Sequence, residues 1–267
     1  MLKDITLGQY FPINSFLHRL DPRTKILIFI LDIVAIFVAQ TLQSYALLVA
    51  FTFLVMLVSK VPVKMYLKGL KPILYIIIFT ALLNLFLTDG KDLPIFGYSI
   101  GITVEGAVVA AKMAVRLVLL IIGSSALTYT TSPMALTDGL EKLLKPFSRI
   151  GFPTHELAMM MSIAIKFVPT LIEETDKIIK AQQARGASFD TGSLFKRAKA
   201  LIPMLVPLFI SAFRRADDLA IAMESRCYTG GDGRTRLREI KFSKTDIAGW
   251  LIFLLFFACV ITLDVVF

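Results

Sequence analysis

Two arginines in matched surroundings are the first residues here whose type and spacing point to a task. The pattern A-x-x-[AS]-R-[GC]-x-[ST] occurs as AQQARGAS at 181–188 and as AMESRCYT at 222–229, placing Arg185 and Arg226 41 residues apart. Each sits between small neighbours, Ala184 and Gly186 in the first copy, Ser225 and Cys227 in the second. An arginine so placed at a helix terminus protrudes unobstructed, and its planar fork suits a two-pronged bond to a carboxylate on another protein. A single such residue would be explained more simply as a complement to the negative end of the helix dipole. Two copies in one context favour a paired docking device.

The remaining reactive groups do not assemble a catalytic centre. No GxxxxGK[ST] occurs, so the chain has no P-loop, and GGDGR at 230–234 reads as a turn. His155-Glu156 lacks the second histidine of a zinc-protease helix. Two histidines and two cysteines are too few for a metal site or a disulfide framework. Asp138 and Glu141, three apart, are better explained by a D-x-x-E capping box at a helix start than by acid–base catalysis. Nothing in these groups supports an enzyme or a cofactor bound by this chain.

Asp32 stands alone in an apolar run, about 12 Å beyond a helix start near Thr24 and so near a bilayer midplane. An acid at that depth is a functional candidate. Proton coupling and a structural ion pair are the alternatives, and the pair is favoured, with Arg116 or Lys112 as partner. Methionines 159–161, with Met134, Met204 and Met223, are first of all membrane packing. Their unbranched thioethers also adapt to differing surfaces, which makes Met159, Met160, Met161 and Met204 candidate contacts for an exchangeable partner.

The elements that hold these residues are helices in a membrane. The composition is 56% hydrophobic and only 18% charged, with 29 Lys and Arg against 20 Asp and Glu, a net charge of +9. A soluble domain carries about a quarter charged residues. The bases here punctuate apolar runs rather than line one face, which excludes disordered and nucleic-acid-binding classes. Spans of about 20 apolar residues are expected on either side of the QTLQS break at 40–44, over 72–88, over 106–129 and over 247–263. Lysines and arginines before the first span and at 60–71, against neutral or acidic stretches at 40–44 and 89–105, place the N-terminus in the cytoplasm.

Three regions follow: a four-span membrane domain over 1–131, cytoplasmic or interfacial helices over 132–246, and a last span over 247–267. In the middle region Ser132-Pro133 opens a helix, GFPT at 151–154 breaks the chain, and two long helices follow, apolar first and charged last. Gly186 is the expected stop of the first, and the TGGDG turn at 229–233 that of the second. The fold expected is all-α, about five transmembrane helices plus coupling helices.

LHRLDPRTK at 17–25, the stretch from Arg116 to Leu144 and the two arginine motifs resemble the transmembrane coupling (T) component of energy-coupling factor (ECF) vitamin transporters. The second motif departs from the family's Ala-Arg-Gly, reading Ser225-Arg226-Cys227. The resemblance implies coupling helices crossing in an X and a cell-membrane location in a bacterium or archaeon. It implies a non-catalytic scaffold joining two ABC-type ATPase subunits, which hold ATP and Mg, to a vitamin-binding membrane subunit (S component) that is exchangeable. Arg185 and Arg226 would each enter a groove on one ATPase. A conventional ABC permease is the alternative, though it usually presents one coupling helix per ATPase. A stand-alone secondary transporter is the more distant one, lacking here the paired, interrupted spans of that class.

Overall fold

The computed structural model describes residues 10–88, 92–95, 98–187, 194–230 and 242–266. They fall into two compact units, one within 140–239 and the other within 8–139 and 240–267.

The larger unit holds α1 (Phe16–Arg19), α2 (Pro22–Val38), α3 (Leu42–Ser59), α4 (Val63–Leu70), α5 (Leu74–Leu87), α6 (Val104–Thr130), the start of α7 (Pro133–Leu144) and α10 (Lys244–Val266). A short antiparallel hairpin, β1 (Asp92–Ile95) and β2 (Tyr98–Thr103), joins α5 to α6. Helix starts follow local chemistry. Asp21 caps α2 with Pro22 at its first position, and Thr41 and Thr103 cap α3 and α6. The break expected at QTLQS is the α2–α3 turn.

Helices α3, α6 and α10 are long and apolar enough to cross a membrane, as is α8 (Thr154–Ala184) of the other unit. The pair α4–α5, bent by 58°, makes a fifth. Helix α2, with 17 residues, lies at the short end of the spanning range. The expected third span is thus really a bent pair. Its lysine-rich approach is the amphipathic helix α4, and Pro72, which has no N–H to give, lies in the break.

The core of this unit is where α2, α3, α6 and α10 meet. Ala35, Ile36, Leu48, Phe253 and Val260 are essentially inaccessible there, and Phe51 stacks on Phe256 at 3.9 Å between ring centroids. Small Ala35 lets α2 approach closely. Apolar side chains on the outer faces, Phe53 and Leu255 among them, stay exposed, as lipid contact demands.

The smaller unit comprises the end of α7, a 3₁₀ turn over Lys145–Ile150, α8, and α9 (Leu194–Glu224). Gly151, at φ +84°, ends the 3₁₀ turn in the left-handed region where glycine carries no penalty. Helix α9 begins earlier than its apolar run suggested, because LFKRAKA extends it by two turns ahead of Leu201.

Candidate functional site

The two arginine motifs share one backbone geometry. In the first, the N–H of Ala187 bonds the carbonyl of Gln182 and the N–H of Gly186 that of Gln183, at 3.0 Å each. In the second, Tyr228 bonds Met223 at 3.0 Å and Cys227 bonds Glu224 at 2.8 Å. Both are Schellman motifs, in which a left-handed residue closes the helix and satisfies its last carbonyls. Gly186 at φ +88° and Cys227 at φ +56° are the left-handed residues, so Arg185 and Arg226 occupy the same cap position immediately before them. Ala184, Arg185, Gly186, Ser225, Arg226 and Cys227 are all exposed. The sequence repeat therefore encodes a helix end that presents an arginine outward. Residues 231–233 of the TGGDG turn lie outside the described residues; α9 has already ended at Glu224.

Helices α8 and α9 pack antiparallel, which puts the two caps far apart. Glu174 of α8 accepts a hydrogen bond from the Ser211 hydroxyl of α9 and pairs with Arg215 at 3.1 Å. Eight residues on, Gln182 reaches back to the carbonyl of Pro203 at 3.4 Å. By this register Arg226 lies level with the start of α8, roughly 26 residues or about 40 Å from Arg185 along the pair.

The methionines divide accordingly. Met160 and Met161 are exposed on α8 at the Arg226 end, whereas Met204 of α9 lies level with Gln182 at the other end. Met159 and Met204 are half-buried. No single methionine patch forms on this unit. Its exposed apolar side chains lie mainly on α9, at Ile202, Val206, Phe209 and Phe213.

The expected ion pair of Asp32 does not form. The guanidinium of Arg116 donates to the Tyr45 hydroxyl at 2.9 Å and lies over the Phe37 ring, and Lys112 donates to the carbonyl of Gln40 at 2.6 Å. Register is the reason. Asp32 faces Gly123, where a Cβ would lie 3.3 Å from its Oδ2, and Arg116 is two turns, about 10 Å, away along α6. The capping box at Asp138 is also corrected, since α7 starts at Pro133 with Ser132 accepting from the N–H of Ala135 at 3.3 Å. Glu141 instead meets His155 Nδ1 at 3.2 Å, and Tyr228, next but one to Arg226, lies 3.5 Å from His155 Nε2.

The LHRLDPRTK stretch does its work through residues that spacing alone did not single out. Asp21 donates its backbone N–H to Asp246 of α10 at 2.6 Å, and Lys25 donates to the carbonyl of Thr130 and the hydroxyl of Thr131 at 2.9 and 3.3 Å, closing the C-terminal end of α6. His18 donates through Nε2 to the carbonyl of Phe11 at 2.9 Å and takes the Ser15 hydroxyl on Nδ1 at 2.7 Å. Burial holds its pKa below the ordinary value. Asp246 also makes the carboxylate half of a capping box at the start of α10, accepting the N–H of Ser243 on Oδ2 at 2.7 Å.

Comparison with known proteins decides the family. The cobalt transport protein (CbiQ) family model matches residues 13–237. The energy-coupling factor transporter transmembrane protein EcfT of Clostridium kluyveri is 58% identical over 92% of both chains. Its counterpart in Ruminiclostridium cellulolyticum is 53% identical over the whole of both, and that of Bacillus subtilis 46% identical over 92% of this chain and 93% of its own. The chain belongs to the T-component family of energy-coupling factor transporters. This T component is accordingly a multi-pass membrane protein of a transport system.

Proposed function

We propose that this T component is the non-catalytic coupling subunit of an ATP-driven vitamin or micronutrient importer, joining two ABC-type ATPase subunits to a substrate-binding membrane subunit. The observation that carries the reading is the pair of matching arginine caps at opposite ends of the antiparallel α8–α9 pair. Two equal presentations about 40 Å apart suit two similar receptors, one arginine in a groove of each. A desolvated arginine–carboxylate pair costs about 2–5 kcal/mol to break by truncating one partner, enough to fix docking and carry displacement from the ATPases into α8 and α9. ATP and Mg belong to the ATPases, and this chain binds neither.

The exposed apolar side chains of α9 and the methionines of α8 supply a surface for the substrate-binding subunit, exchangeable between carriers. The N-terminus lies in the cytoplasm, on the side of the lysines of α4. Neither permease nor secondary-transporter behaviour is needed to explain any residue described. The test is co-purification with ATPase subunits, with ATP-dependent uptake followed in the same preparations. Arg185→Glu and Arg226→Glu should each weaken capture, and the double change should abolish capture and uptake while the membrane fold survives. Normal capture and uptake by the double variant would sink the reading.

A further inference from the structure

The core of the larger unit contains a cavity of about 170 Å³ bounded by α1, α2, α3, α6 and α10. Its walls are almost wholly apolar, with Phe29, Val55, Leu127 and Phe253 prominent, and Leu54 and Ile252, both half exposed, stand at the rim on the outer, lipid-facing surface. Asp32 is the one acid on the wall.

Asp32 Oδ1 is buried with no hydrogen-bond partner among the described residues. The basic residues expected to pair with it, and the lysine on the cavity wall, are committed elsewhere: Arg116 to Tyr45 and Phe37, Lys112 to Gln40, and Lys25 to Thr130 and Thr131. A buried carboxylate oxygen without a partner in apolar surroundings is costly, and one that persists calls for an explanation. Among the described residues none donates to Oδ1, and on the α6 side Gly123 comes so close that an added Cβ would lie 3.3 Å from Oδ2.

We propose that this cavity is a binding site for a small lipophilic amine that enters from the bilayer, its ring or chain on the apolar walls and its N–H groups on Asp32. The size fits, since an apolar cavity of about 150 Å³ admits benzene. The charge fits too: in a site of low dielectric a carboxylate is best satisfied by a cation that also donates hydrogen bonds. The site is independent of the coupling reading, because none of its residues belongs to the arginine caps.

The test uses the full chain in phosphatidylcholine nanodiscs and ¹⁹F NMR of two probes, 4-fluorobenzylamine and its apolar isostere 4-fluorotoluene. Saturable binding of the amine is expected, weakened about tenfold or more by Asp32→Asn or Asp32→Leu, as loss of a charged hydrogen bond implies, with 4-fluorotoluene unaffected. Gly123→Val, whose side chain would press on Asp32 and Phe29 of the cavity wall, should weaken both probes. Arg185→Glu with Arg226→Glu should leave both unchanged, separating this outcome from any failure of the coupling reading. Equal amine binding by wild type and both Asp32 variants would show bilayer partitioning only and overturn the proposal, as would no saturable binding of either probe.

Discussion

Asp246, in the first turn of α10, accepts the backbone N–H of Asp21 at the start of α2 across 225 positions of sequence, at 2.6 Å and with Asp246 wholly buried. Its other oxygen closes its own helix start on Ser243. At the far end of α10, Asp264 takes the N–H and hydroxyl of Thr41 at 2.9 and 2.8 Å and the Ser44 hydroxyl at 2.8 Å. Eighteen residues of helix separate the two acids, about 27 Å, close to the thickness of a hydrocarbon core. The last span is therefore pinned to the first helical hairpin at both ends.

Removal of either pin should lower stability without touching the arginine caps. Asp246→Ala strands two backbone donors, one of them buried, and should cost about 3 kcal/mol, the loss typical of hydrogen bonds to a charged acceptor. Asp264→Ala should cost less, since its site is partly exposed. Sites this far apart act independently, so the double variant should show the sum to within about 0.5 kcal/mol. Unfolding midpoints in detergent measure this. A double variant no worse than Asp246→Ala alone would mean that the Asp264 contacts contribute nothing.

The two arginine caps differ in one respect that stability can read. Cys227 holds a left-handed conformation that glycine adopts freely and a side chain does not. Cys227→Gly should stabilise the end of α9 by up to about 1 kcal/mol, and Gly186→Ala should destabilise the end of α8 by a similar amount. At Gly186 an added Cβ would meet nothing within 4 Å, so the effect there is purely one of backbone conformation. Hydrogen exchange at the Tyr228 and Ala187 amides reports each cap directly.

Much of this was readable because it is local. The Ser132-Pro133 start, the QTLQS break, the stop at Gly186 and the repeated cap all depend on neighbours within a turn or two. Even α4 left a signal, since Lys64, Lys68 and Lys71 recur at helical spacing. Partners across the fold left none. The sequence sets the depth of Asp32 and of Arg116 in their own helices, but not the relative rotation and sliding of α2 on α6, and that register put Gly123 opposite the acid. The pinning role of Asp246 likewise depends on a contact that no spacing reveals, although its capping box does.

Stability should fall on mild acidification, through His18. Burial in its neutral form lowers its pKa from the ordinary 6.5, with the carbonyl of Phe11 and the positive charge of Lys25 as smaller, opposed influences. The unfolded chain therefore binds the proton more readily, and stability is full above pH 6.5, then declines as pH falls from there through the folded-state value. His18→Gln should flatten this part of a midpoint-against-pH curve at some cost in stability at neutral pH, since Gln cannot meet both Phe11 and Ser15. A slope unchanged in the variant would assign the titration to another group.

The distance between the arginine caps depends on the register of α8 against α9, which Glu174 sets through Ser211 and Arg215. The ion pair is partly open to water, so its direct contribution to stability is small. On the coupling function proposed above its importance is positional: a slip of one helical turn would move one cap by about 5 Å relative to the other, enough to take an arginine out of a groove fitted to it. Glu174→Arg should therefore weaken ATPase capture with both arginine motifs intact and little change in the unfolding midpoint. Adding Arg215→Glu restores the opposite charges in reversed order and should recover most of the capture, although the bond from Ser211 is lost. Capture at wild-type strength by Glu174→Arg alone would mean that packing, and not this pair, holds the register.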